Sequence, residues 1–98
     1  MPNRSKFDPA EYLDSPEAIA DYLTEALQTG DDALIAEAIG AVARAEGMKA
    51  VAEKAGLSRE NLYRSLNIGG KPELGTVMKV LGALGMQLVA KPREEEAA

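Results

Sequence analysis

An all-α fold is predicted by three features of this 98-residue sequence. Apolar residues recur at helical spacing in five separate stretches. Each stretch is bounded by glycine or by a serine or aspartate suited to capping. Only four aromatics are present (Phe7, Tyr12, Tyr22, Tyr63), so the core must be aliphatic and alanine-rich. Such a core favours short, closely packed helices over a sheet sandwich. The expectation is one domain over residues 15–91 with five helices and a short C-terminal β-strand. An N-terminal arm (1–14) precedes it and a mobile acidic tail (92–98) follows it.

In the arm, Asp8-Pro9 is a turn or extended dipeptide, and Phe7, Tyr12 and Leu13 are expected to pack on the domain. The first helix starts at Ser15, a cap, with Pro16 at its first position and Glu17 complementing the dipole. Its stripe is Ala18/Ile19, Tyr22/Leu23 and Ala26/Leu27, and Gly30 ends it. Asp31 or Asp32 caps the second helix, whose stripe is Leu34/Ile35, Ala38/Ile39 and Val42/Ala43 and which ends at Gly47. The short join makes an antiparallel pair. Gly40, in mid-helix, costs about 1 kcal/mol relative to alanine, which points to a close helix approach.

The third helix spans about Met48 to Ala55, burying Met48, Val51, Ala52 and Ala55. The fourth spans Arg59 to about Asn67, burying Leu62 and Leu66, and Ile68 to Pro72 is a loop. A fifth begins between Glu73 and Thr76 and ends at Leu84, with Leu74, Val77, Met78, Leu81 and Leu84 inward. Residues 86–91 alternate weakly, as a strand does. With no partner strand in a helical chain, its hydrogen bonds are expected to be met by a second copy, making a homodimer.

The helix pair over 48–67 carries the function. Ala52 is small where a helix passes, Gly56 allows a sharp turn, Leu57 fills the angle, and Ser58 caps the second helix. This is a helix-turn-helix pattern. With Leu62 and Leu66 inward, Arg59, Glu60, Asn61 and Arg64 point outward, at the end of a helix that meets base edges. Arg59 or Arg64 can grip guanine with a two-toothed fork, and Asn61 can pair with adenine. Glu60 can accept from the cytosine amino group and exclude other bases. Ser58, Lys49 and Lys71 suit phosphates. A plainer reading is available for each. Ser58 caps in any protein, Arg59 and Glu60 suit a solvated face, Asn61 can support the cap, and Tyr63 reads as half-buried packing. Lys54 and Lys79 read as solvent charges.

The sequence holds no cysteine or histidine, so disulfides, thiolate or imidazole metal sites and the commonest general base are excluded, and no cofactor is expected. Acids such as Asp31 and Asp32 sit where capping explains them, so an enzyme is not expected. No apolar run is long enough to cross a bilayer and the N-terminus is not a signal peptide, so a cytoplasmic location with no membrane partner is expected. The net charge of −5 is unevenly spread. Residues 1–43 carry nine acids against Arg4 and Lys6, whereas residues 44–79 carry seven bases against four acids. Two faces with two partners is one reading of that asymmetry, and plain solubilisation is the other.

YLTEAL (22–27), GDDALIAEAIGAVARAEGM (30–48), VAEKAGLSRENLYRSL (51–66) and GTVMKVLGALGMQL (75–88) together resemble the HigA-like addiction-module antidotes, a branch of the Cro/XRE-type helix-turn-helix proteins. The resemblance spans roughly residues 15–90. It implies an antitoxin that binds operator DNA as a dimer, represses its own operon, and neutralises a small basic RelE/ParE-type toxin. Ser58, Arg59, Glu60, Asn61 and Arg64 fall on the recognition helix. Met48 stands where many Cro-type proteins have a glutamine that grips the DNA backbone, which leaves that contact to Lys49. The competing readings are a prophage-type repressor without a toxin, and a helical interaction module that no longer binds DNA. A small basic reading frame next door favours the antitoxin over the first, and salt-sensitive DNA binding argues against the second.

Overall fold

The computed structural model describes residues 14–67 and 69–94. The expected packing of Phe7, Tyr12 and Leu13, and most of the acidic tail, lie outside those residues. Five helices are described, in the order α1 (Pro16–Thr29), α2 (Asp32–Glu46), α3 (Met48–Ala55), α4 (Arg59–Ser65) and α5 (Leu74–Ala83).

Caps set these boundaries. Ser15 Oγ accepts from the Ala18 N–H at 3.1 Å, and Pro16 occupies the first turn, where a missing N–H costs nothing. Gly30 ends α1 at φ 68°, a left-handed conformation open to glycine without penalty. Of the two candidate caps for α2, Asp31 is the one used: its Oδ1 accepts from Ala33 at 3.0 Å and Leu34 at 3.2 Å. The chain turns back here, and α1 lies along α2.

Helix α2 is the centre of the molecule, packing against α1, α3 and α4. Its buried arc is therefore wider than one stripe and takes in Ala36, Ala38, Ile39, Gly40, Val42 and Ala43. Leu34, in its first turn, falls outside that arc and is 47% exposed. Gly40 is the close approach that its position suggested. A Cβ there would collide with the carbonyl oxygen of Leu66, and the Arg44 guanidinium would stand 3.2 Å away. Glycine thus lets α2 lie against the end of α4. Tyr22, partly buried on α1, has its phenol pKa raised, first by burial and then by Glu37, with Arg44 opposing.

Three expectations change. First, α4 ends at Ser65 rather than near Asn67. Leu66 is fully buried, so the chain bends inward there, and Asn67 Nδ2 donates to the Tyr63 carbonyl at 2.7 Å, satisfying a group the helix leaves open. Second, the inward face of α5 is shifted: Val77 and Leu81 are buried as expected and Val80 joins them, whereas Leu74 (69%) and Met78 (49%) are exposed. Both stripes have helical spacing, and contact with α3 selects the one containing Val80. Third, no strand forms over 86–91, and the described residues after α5 are irregular. Gly85, at φ 78°, reverses the chain, the Met86 N–H donates to the Leu81 carbonyl at 2.8 Å, and Met86 and Leu88 pack onto the core. The strand-paired dimer therefore loses its basis in the single chain.

The core is aliphatic, as expected. Its largest fully buried side chains are Ile39, Leu62, Leu66, Val42 and Val80. Leu62 belongs to α4 and Leu66 follows its last residue directly, so the helix carrying the outward polar edge is anchored in the centre of the domain.

Candidate nucleic-acid interface

The α3–α4 pair is built around a three-residue joint. Gly56 ends α3 at φ 73°, and its N–H donates back into the last turn. The Leu57 N–H donates to the Ala52 carbonyl at 3.0 Å, and Leu57 itself packs against the core. Ser58, at φ −79° and ψ 150°, starts α4, and its Oγ accepts from the Asn61 N–H at 3.0 Å. Ala52, at 3% exposure, is the small residue in the angle. These residues take the roles their spacing assigned.

On α4, Leu62 faces inward with no exposed surface, which fixes the orientation of every other side chain. Arg59 and Tyr63, four residues apart, share one edge; Glu60 and Arg64 share the next. Arg59, Glu60 and Arg64 are all exposed, as are Ser58, Lys49 and Lys71. Tyr63, read from sequence as half-buried packing, is 46% exposed and adds a phenol to the Arg59 edge. Nothing but its neighbours' orientation could have shown this.

Asn61 is the candidate most committed elsewhere. Its Oδ1 accepts from the Ser65 hydroxyl at 3.1 Å, and the pair is partly buried. Pairing with adenine uses both ends of the amide. The oxygen is already engaged within the helix, so Asn61 serves the cap and the helix flank first, and the plainer reading fits it better.

Lys49 stands in the first turn of α3, next to Met48, which is 6% exposed. Met48 is thus a core residue, and the cation beside it is the outward group at this end. Lys71 is brought back by a feature that composition did not show. A Cβ on Gly70 would collide with the Ser65 carbonyl, and the Gly70 N–H donates to the Asn67 carbonyl at 2.8 Å. The loop is therefore folded hard against the end of α4, and Lys71 follows directly.

Chemically, this surface offers two guanidinium forks, two ammonium groups, a phenol and one carboxylate, displayed on two short helices and the loop that follows them. Among the described residues, no polar or charged side chain is buried and no group of histidine, cysteine or acidic side chains is arranged to hold a metal. No helix among them is long and apolar enough to cross a membrane.

Fold and surface together define a small helical domain with a basic, outward-facing helix pair. Over residues 3–92 the chain matches the family described as probable addiction module antidote protein, and it belongs to that family. It is similar to a Haemophilus influenzae protein described as uncharacterized, with 49% identity over 81 residues, covering 83% of this chain and 84% of that one. No solved structure matches it. An antidote acts on a toxin, so family membership implies a toxin partner of some kind.

Proposed function

We propose that the chain is the antitoxin of a type II toxin–antitoxin module, a non-enzymatic, cytoplasmic protein of the HigA-like, Cro/XRE-type group. In this reading it binds double-stranded operator DNA as a homodimer through a helix-turn-helix formed by α3 and α4, represses its own operon, and neutralises a small basic RelE/ParE-type toxin. The observation that carries the DNA reading is the outward edge of α4. Arg59 and Arg64 are exposed on a capped helix whose opposite side is locked into the core by Leu62 and Leu66. A recognition helix needs that combination, because base discrimination depends on side chains held in a fixed orientation.

Arg59 and Arg64 supply the base contacts, with Glu60 selecting against the wrong pair. Lys49, Ser58 and Lys71 hold the phosphates at the two ends of the pair. Membership in an antidote family supports the toxin half of the proposal, and the acidic surface of α1 and α2 suits a basic partner by steering its approach. In a two-fold dimer the two α4 helices stand about 34 Å apart, one turn of duplex.

Co-expression with a small basic toxin encoded beside the gene tests the toxin half of the proposal. The expected result is a stable complex and restored growth. DNA binding with no effect on the adjacent product's toxicity would instead make the chain a plain repressor.

A further inference from the structure

The outer face of α5 is left uncovered by the described residues. Val77, Val80 and Leu81 turn inward, and the opposite arc of this ten-residue helix carries Leu74, Gly75, Met78, Lys79 and Gly82, all exposed. An open groove of about 600 Å³ continues that arc toward the ends of α2 and α3, lined by Met78, Gly82 and Leu84 and edged by Glu46, Lys54 and Lys79. We infer that this face is where two copies of the chain meet, with their α5 helices antiparallel and Met78 on the two-fold axis. The inference rests on the homodimer proposed above and names the surface that makes it.

Two glycines carry it furthest. Gly40 and Gly70 are explained within the chain, since a Cβ on either would collide with a backbone carbonyl. Gly75 and Gly82 are not. Neither has a positive φ, and the space where a Cβ would stand is open at both. Alanine would hold the helix better at either position. Beside these gaps Leu74 and Met78 project from the surface, 69% and 49% exposed. In an antiparallel pair centred on Met78, residues equally far from the axis face one another. Leu74, four residues before it, then meets the partner's Gly82, four residues after it. Each copy thus supplies a projecting side chain and the space that receives one. A two-fold interface needs a surface complementary to itself in this way.

Charge points in the same direction. The groove's edge holds Glu46 together with Lys54 and Lys79, so each copy brings an acid for the other's lysines. Those lysines disfavour a basic partner on this face, and its Leu74–Met78 edge has no polar side chain to offer duplex DNA. Helix α5 packs chiefly on α3, so pairing through its outer face leaves the Arg59–Arg64 edge of α4 uncovered. The nine residues lining the groove, with Leu74 and Gly75, are fewer than the roughly 20–30 a side of a standard interface. The dimer is therefore a weak one that exchanges with single chains on dilution.

The test uses the full chain, which has no cysteine of its own. Sedimentation over a dilution series is expected to give a mass that rises from 10.4 kDa toward twice that value with concentration. Gly82→Gln fills the open space with a helix-forming side chain, so circular dichroism should show the fold kept while the mass stays at that of one chain. A disulfide needs its two Cα atoms within about 7 Å, as facing residues at a helix crossing are. Met78→Cys should therefore cross-link between chains several-fold faster than Leu34→Cys, a position on α2 of nearly the same exposure (47% against 49%). Equal cross-linking rates, or a dimer that survives Gly82→Gln, would overturn the inference and leave the homodimer itself standing. A single-chain mass at every concentration would remove both.

Discussion

The α1–α2 pair and the α3–α4 pair are joined by the same device and present opposite surfaces. Each first helix ends on a left-handed glycine, Gly30 at φ 68° and Gly56 at φ 73°, and each second helix is started by a side-chain cap, Asp31 or Ser58. Outside the joints they diverge. Helix α1 carries Glu17, Asp21 and Glu25 and no base, whereas α3 and α4 together carry Lys49, Lys54, Arg59 and Arg64 against Glu53 and Glu60. Joint chemistry fixes the local fold, and the outward side chains decide what each pair can meet.

The two pairs are not independent, because Gly40 of α2 lies on the end of α4. Gly40→Ala is therefore expected to have the largest effect on stability. Helix propensity alone would make it stabilising by about 1 kcal/mol. Contact with the Leu66 carbonyl reverses the sign, giving a loss of about 1–3 kcal/mol in thermal or urea unfolding. A gain in stability would show that the pairs do not meet there.

Arg59→Ala and Arg64→Ala sharpen the comparison on the basic side. Each is expected to reduce discrimination between operator and unrelated duplex by about 1–3 kcal/mol, with little change in unfolding, since both side chains are exposed. Unchanged preference in both would move the base contacts off α4. Ser58→Ala should cost about 1 kcal/mol of stability through the lost cap to the Asn61 N–H. Lys49→Ala should weaken all duplexes alike and flatten the salt slope by about one unit.

The smallest expected effect belongs to the acidic pair. The Tyr22 phenol is raised above its ordinary value of about 10 in the folded state, so the fold holds that proton more tightly than the unfolded chain does. Its contribution is complete below pH 10 and is lost as pH rises through the folded value. Tyr22→Phe should remove that part of the alkaline loss, measured as unfolding midpoints on either side of pH 10.

Caps and joints were legible in the sequence because they are local: Ser15, Gly30, Gly56 and Ser58 act on residues within one turn of themselves. Orientation was less so. The α5 stripe could be drawn through Leu74 and Met78 or through Val80, and only packing against α3 chose between them. Residues 86–91 misled for a related reason: Met86 and Leu88 found places on the chain's own core, so alternation did not mean a strand. In the candidate interface, exposure of Arg59, Glu60 and Arg64 followed from Leu62 and Leu66 pointing inward. The Asn61–Ser65 hydrogen bond and the fold-back at Gly70 depend on coordinates that no spacing rule supplies.

The most direct test of the central claim is fluorescence anisotropy of the full chain on a labelled duplex from its own promoter, read across a salt series. Saturable binding is expected, with affinity falling steeply as salt rises and preference over a scrambled duplex lost in Arg59→Ala. A flat response at low salt, from a protein folded by circular dichroism, would contradict it.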